Sequence, residues 1–134
     1  MKALRFIAFF AFCLITHSAL AQLENTRWVG SFHIPGEAEC VFHFKKDSLN
    51  MFLADRDIVV EQMSYKLSGD TLTLKKLAGS SPCDGETPGL YRWKVDGDFL
   101  RLRLISDNCS ERAGAGLEDI DMNRVIEPGR LKKD

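Results

Sequence analysis

The chain reads as an all-β domain: a single antiparallel meander of eight strands, closed into a barrel and stapled by one disulfide. Three observations lead there. Apolar and polar residues alternate with period two through most of the chain after residue 22, the mark of half-buried strands. Turn signals separate the alternating runs at short intervals, so strands adjacent in sequence pair antiparallel. Eight meandering strands with one apolar face make a sandwich or a barrel, and closure removes the open edges that would template aggregation.

Trp28, Gly30, Phe32 and Ile34 share one face of the first run against Arg27, Ser31 and His33, and Pro35-Gly36 ends it. Cys40, Phe42 and Phe44 then alternate with Val41, His43 and Lys45. Leu49, Met51 and Leu53 share a face after the turn Lys46-Asp47-Ser48. Val59, Met63, Tyr65 and Leu67 follow; Glu61 falls on their side, which points to a bulge or a strand end. Leu72 and Leu74 oppose Thr71, Thr73 and Lys75. Tyr91, Trp93 and Val95 oppose Arg92 and Lys94, while Leu100, Leu102 and Leu104 oppose Arg101 and Arg103. The last and weakest run is Ile120 to Val125. Ser68-Gly69-Asp70 and Asp96-Gly97-Asp98 are the strongest hairpin signals. A short helical turn fits near Ser110 to Ala115.

The domain begins after a leader. Lys2 and Arg5 form a basic start, Phe6 to Ile15 is uncharged, and Ala19-Leu20-Ala21 supplies the small residues of a cleavage site before Gln22. The apolar run, about ten residues, is too short to span a bilayer. Residues 1–21 therefore read as a cleaved signal peptide, 22–126 as the barrel domain and 127–134 as a polar tail. Cys13 is no lipid anchor, because Phe12 stands where a small residue is required. The expected location is exported, periplasmic or secreted, with no transmembrane segment.

Losing Lys2 and Arg5 with no acid moves the net charge from -1 to -3. That speaks against nucleic-acid binding, which needs a basic surface. The apolar fraction of 45% excludes a disordered chain.

Three cysteines follow the leader. Cys83 and Cys109 lie on either side of the hairpin whose tip is Gly97, 14 residues before it and 12 after. An antiparallel hairpin brings such positions together, so a Cys83–Cys109 disulfide is expected. Cys40, on the phenylalanine face, reads as a buried thiol acting as a small hydrophobe.

Sites of chemistry are sparse. Cys40 and His43 are three residues apart in a strand and point to opposite faces, so they cannot share a metal ion. His33 and His43 share an outer face but are too few for a site. Asp96-Gly97-Asp98 lacks the ligand ladder of a calcium loop. Ala113-Gly114-Ala115-Gly116 lacks the context of a phosphate loop and reads as a flexible link. No Gly-x-Ser-x-Gly and no Ser-His-Asp set occurs. The acidic clusters at Glu37 and Glu39, and at Glu118, Asp119 and Asp121, read as solvated strand ends. No enzyme activity, cofactor or metal is expected. Arg92, Lys94, Arg101 and Arg103 form a basic outer stripe, read as a solubilising face over an anion-binding one.

Leu23-Glu24-Asn25-Thr26-Arg27-Trp28-Val29-Gly30 resembles the first strand of lipocalin-like proteins. Ser81-Pro82-Cys83-Asp84, Gly89-Leu90-Tyr91-Arg92-Trp93 and Asp107-Asn108-Cys109-Ser110-Glu111-Arg112 are similar to small exported lipocalin-like (calycin-type) domains of Gram-negative bacteria. The chain departs from larger lipocalins in lacking their Gly-x-Trp spacing and long C-terminal helix. The resemblance implies a tryptophan at the barrel base, Trp28, with a late arginine stacked on it: Arg124, or alternatively Arg112. It also implies a non-catalytic protein that binds a small apolar or amphipathic ligand, with Phe42, Phe44, Met51, Met63, Tyr65 and Tyr91 as the pocket wall. Large inward residues keep any cavity small or confined to one mouth. The alternative is a disulfide-stapled envelope module presenting loops 78–89 and 106–116 to a protein or polymer partner.

Overall fold

A computed structural model describes residues 20–126. The leader falls outside the described residues except for its last two positions, and the tail 127–134 falls outside them entirely. After a short helix α1 (Leu20–Leu23) come β1 (Arg27–His33), β2 (Glu37–Phe44), β3 (Ser48–Leu53), β4 (Ile58–Ser68), β5 (Thr71–Gly79), β6 (Gly89–Asp96) and β7 (Phe99–Asp107). A helical turn α2 (Ser110–Arg112) runs into a wide helical turn (Ala113–Leu117, here termed the π-helical turn) that is kinked at Gly116, and β8 (Asp119–Arg124) ends the domain. Each strand pairs antiparallel with the next, and β8 returns to β1, closing an eight-stranded barrel. The architecture is compatible with a lipocalin-like fold.

Two hairpins follow directly from their glycines. Gly69 (φ 57°) and Gly97 (φ 59°) are each the first of two turn residues. That is where a tight hairpin needs positive φ, and glycine adopts it without steric cost. With the chain entering at β1, the turns 45–47, 69–70 and 97–98 gather at one end of the barrel, the base. The segments 34–36, 54–57, 80–88 and 108–118 gather at the other, the mouth.

The inward alternation holds through the middle of the barrel. Trp28, Phe32, Phe42, Phe44, Leu72, Leu74, Tyr91, Leu100, Leu102 and Met122 are fully buried. Trp28 anchors the base. Its indole Nε1 donates to Thr26 Oγ1 (2.7 Å), and the Arg124 guanidinium lies 4.4 Å from its ring centroid. Arg124 also faces Trp28 in the β1–β8 register, so strand pairing and the cation–π contact act at one place. Such a contact adds about 0.5–2 kcal/mol. Of the two candidate arginines, it is Arg124 that stacks.

Towards the mouth the ladders are interrupted. β4 carries one extra residue, Val60, against β3; β5 carries Leu77 against β4; β7 carries Ile105 against β6. Bulges of this kind bend strands at barrel rims. They explain four departures from simple alternation. Leu77 and Ile105 are exposed, and Leu104, expected to face inward, is 39% exposed beside the bulge. Glu61, on the apolar side of the pattern, is buried at 8% exposure between two of these irregularities.

Cys83 and Cys109 are joined, with 5.6 Å between their Cα atoms. Cys40 is buried and unbonded. Burial, and then the charge of Asp55, push its thiol up to about 11, so it stays protonated and inert at neutral pH. Replacing Cys83 and Cys109 together by alanine should lower the unfolding free energy by about 3.5 kcal/mol, from release of a loop with a separation of 26 residues. Urea unfolding of the variant against the oxidised chain measures this. A native alkylation time course should leave Cys40 unlabelled.

Candidate functional site

The mouth holds a pocket of about 600 Å3. Phe32, Met51, Val60, Met63 and Leu117 supply its apolar wall, and His33, Pro35, Ser81 and Glu111 stand around it. Glu61 and Arg112 are buried charged residues, and both belong to its lining.

The sequence-derived wall is divided by depth. Met51 and Met63 line the pocket. Phe42, Phe44 and Tyr65 lie beneath it as a packed aromatic column. Phe32 stacks on Phe42 (5.2 Å between centroids), Phe42 meets Phe44 edge-on (6.2 Å), and Phe44 meets Tyr65 edge-on (5.1 Å). The Tyr65 hydroxyl donates to the Lys45 carbonyl in a base turn, so the column runs down to the base. Tyr91 lies in the core, with its hydroxyl committed to Asp107. Alternation tells which face a residue takes, but not how deep it lies; Met51 and Met63 line this pocket, while Phe42, Phe44, Tyr65 and Tyr91 are packed in the core.

The helical turn expected near Ser110 to Ala115 is present, but its place in the pocket lining was not foreseen. Expected as a flexible link, Ala113 to Gly116 forms most of the π-helical turn, with Ala113, Ala115 and Leu117 buried. Gly116 (φ 119°) lets the turn pack against β1, where an added Cβ would lie 3.5 Å from the Ser31 carbonyl oxygen. The apolar residues Ala113, Ala115 and Leu117 signalled burial, but their period of two does not point to a helical turn.

Two polar clusters hold the mouth. In the first, Asp107 accepts hydrogen bonds from Arg112 Nε (2.6 Å) and Nη2 (2.7 Å), from the Cys109 N–H (2.9 Å) and from Tyr91. Arg112 Nη2 also donates to the Thr87 carbonyl (2.9 Å), tying loop 80–88 to the segment after β7. The disulfide joins the same two segments. Burial pushes the Asp107 carboxyl up, but the bonds from Arg112, Tyr91 and Cys109 outweigh it and hold it below the usual carboxylate range. Burial, then the Asp107 carboxylate, push the Tyr91 phenol well above its ordinary value. Gly89 makes room for this cluster: an added Cβ would lie 2.3 Å from Asp107 Oδ2 and 2.9 Å from Arg112 Nε.

In the second cluster, Glu61 accepts from Ser81 Oγ (2.7 Å) and the Ser81 N–H (3.2 Å), with Lys76 Nζ at 3.9 Å. Gly79 permits it, since an added Cβ would lie 2.3 Å from Glu61 Oε2.

Elsewhere the sequence candidates disperse. His33 pairs across from Glu37 and His43 across from Arg27, at opposite ends of β1. Among the described residues no group of three or more His, Cys, Asp or Glu is placed to hold a metal ion. The outer basic stripe is faced by carboxylates: Arg92 by Asp70 (3.1 Å), Arg101 by Asp121 (3.0 Å) and Arg103 by Asp119 (2.8 Å). Among the described residues no helix is long and apolar enough to cross a membrane. Comparison of the chain with protein-family models, with curated proteins and with solved structures found no match in any of the three.

Asp107→Asn should destabilise the domain by about 3–5 kcal/mol at pH 7, because it leaves the Arg112 charge buried without its partner. Acid should act on the wild type through the same pair. The folded-state pKa of Asp107 lies below its unfolded value, about 3.9, so the unfolded chain takes up the proton first as pH falls. The stabilisation is complete above about pH 4 and is lost as pH falls through the folded value. Urea unfolding from neutral pH down to about pH 3 should show that loss in the wild type and a shallower one in Asp107→Asn.

Proposed function

We propose that this chain is an exported, non-catalytic barrel protein that binds a small apolar or amphipathic ligand at its mouth. The observation that carries the proposal is the pocket of about 600 Å3 with an apolar wall of Phe32, Ile34, Met51, Val60, Met63 and Leu117. Small-molecule sites are concave, largely apolar and about 300–1,000 Å3, with a few fixed polar groups. This mouth has that composition, with Glu61, Ser81 and Arg112 as the polar groups. Methionines in the wall suit a ligand of irregular shape, because their side chains repack at low cost. Burying about 400 Å2 of apolar ligand surface is worth about 10 kcal/mol, and association costs at least about 4. The balance corresponds to dissociation constants of roughly tens of micromolar.

Export is supported by the disulfide, which persists in oxidising compartments. It is also supported by the order of the leader's charged, apolar and small residues.

Native mass spectrometry of the oxidised chain, set against its denatured mass, tests the proposal. A discrete excess of roughly a few hundred daltons, lost on denaturation, is the expected result. A bare mass that stays bare with added decanol overturns it. A mass of twice the chain would move the weight to an interaction module built on loops 78–89 and 106–116.

Gly114 gives a sharper test. It lines the pocket, and a Cβ added there meets nothing within 4 Å. Gly114 is exposed, so Gly114→Trp places an indole at the rim of the pocket without a clash at Cβ. The expected outcome is little change in stability with at least about tenfold weaker decanol binding, a loss of more than about 1.4 kcal/mol, as the indole competes for the apolar mouth.

A further inference from the structure

The charges of the barrel are not spread evenly along its axis. The segments 54–57, 80–88 and 108–118, which gather at the mouth, carry six carboxylates, Asp55, Asp57, Asp84, Glu86, Glu111 and Glu118, against two cations, Arg56 and Arg112. All six acidic residues are exposed. In the rest of residues 22–126 the two signs are equal in number, eleven of each. Both mouth cations are already engaged. Arg112 is buried and gripped by Asp107 (2.6 Å), and the exposed Arg56 lies 3.4 Å from Asp55. The excess negative charge of the domain is thus gathered at the open end of the barrel, where the apolar pocket lies.

The lining has the same sign. Glu111 belongs to it and is exposed, which sets this residue at the rim. Its Oε2 accepts a hydrogen bond from the neighbouring Ser110 hydroxyl (3.2 Å), and among the described residues no cation pairs with it. The other lining carboxylate, Glu61, is held by Ser81 and faced by Lys76 at 3.9 Å, so its charge is answered within the protein. His33, also in the lining, lies 3.9 Å from Glu37. A ligand carboxylate would meet this excess of like charge with no unengaged cation in the lining. An uncharged head gains nothing from it. A cationic head is drawn to it, and a concave apolar site ringed by one sign of charge focuses that attraction. One exposed ion pair is worth little, but several carboxylates around one opening act together.

We infer that the pocket takes a cationic amphiphile, an alkyl chain ending in an ammonium group, with its apolar tail against Phe32, Met51, Val60 and Met63 and its charged head at the rim beside Glu111. This rests on the proposed ligand-binding function and names the chemistry of the ligand. At the rim the head keeps much of its hydration, so the site avoids the cost of burying an ion. The apolar wall supplies the affinity, and the acidic rim supplies the preference.

Three probes of equal chain length separate the outcomes: decylammonium, decanol and decanoate, each titrated calorimetrically into the oxidised chain at neutral pH and low salt. The expected order of affinity is decylammonium, then decanol, then decanoate, with at least about tenfold between the two charged probes. Raising the salt to about 0.5 M should shrink that ratio to roughly threefold or less, because exposed charges are screened. Glu111→Gln should lower the same ratio by about threefold at low salt. The wild-type series decides the matter even if the variant does not fold. Decanol or decanoate binding as tightly as decylammonium would overturn the inference and leave the ligand-binding function standing. A preference for decylammonium unmoved by salt would overturn it as well, since the rim would then not be its source. Failure of all three to bind would overturn the inference together with the function it rests on.

Discussion

Closure of the barrel rests on a short seam. β1 and β8 meet at only two register positions, Trp28 with Arg124 and Val29 with Asn123. A two-residue ladder is little to hold an eight-stranded sheet shut. The seam is reinforced where it lies: Arg124 stacks on Trp28 and donates its backbone N–H to the Asp98 carbonyl (2.7 Å), while Val125 donates to the Arg27 carbonyl (2.9 Å). The base is therefore the closed end, and its geometry sets where every other strand begins. Gly30 belongs to the same seam. A Cβ there would lie 3.0 Å from both Ile120 and Met122, so the glycine lets β8 side chains pack directly over β1.

Above that seam β1 continues without a strand partner on the β8 side. Gly30 to His33 pair with β2 alone, and the first residues of β8, Asp119 to Met122, pair with β7 alone. The helical segment 110–117 fills the gap, with its Gly116 against Ser31 and Phe32. This substitution of a turn for a strand is what makes a mouth. A strand would bring a continuous row of side chains to complete the filled core. The turn brings Gly114, Ala115 and Leu117 instead, and two of the three are too small to fill the space. The pocket is thus a consequence of incomplete strand pairing on one side and of three bulges on the other strands. A segment that replaces a strand must be held by something other than ladder hydrogen bonds. Here the Cys83–Cys109 bond and the Arg112–Asp107 pair do it from the two ends of the same stretch.

Those features mark the boundary of what the sequence made legible. Fold class, strand order, both glycine hairpins and the disulfide follow from period-two alternation, turn chemistry and distance from a hairpin tip, and all are seen in the structure. Each of these is a local or nearly local property. The pocket is not. Phe42 and Met51 face the same interior in paired positions, yet Met51 lines the pocket and Phe42 is packed below it. Depth along the barrel axis depends on stagger between strands, which bulges alter one residue at a time. Glu61 was the clearest trace of this in the sequence, a carboxylate on the wrong face. It signalled an irregularity without showing that Ser81 would come round to hold it. Arg112 was weighed against Arg124 as a partner for Trp28. Both are arginines beside aromatic-rich strands, and only the register separates the one on the base from the one at the mouth.

The two clusters at the mouth also show why polar groups were retained in so small a core. An Arg–Asp pair as deeply buried as Arg112 and Asp107 gains less from attraction than its desolvation suggests, and an apolar replacement is commonly no less stable. What such a pair does supply is direction. Four donors converge on Asp107, one from Tyr91 on β6, one from the backbone at Cys109 and two from the side chain of Arg112, and they leave the carboxylate one orientation. Apolar side chains would pack the same volume in several ways. The mouth needs one arrangement, because loop 80–88 and the turn 110–117 meet there with no shared strand to set their register. Gly89 and Gly79, each cleared to admit a carboxylate, are the covalent record of that requirement. The rigidity they secure is what lets an open end of the barrel keep a defined apolar cavity and not collapse upon it.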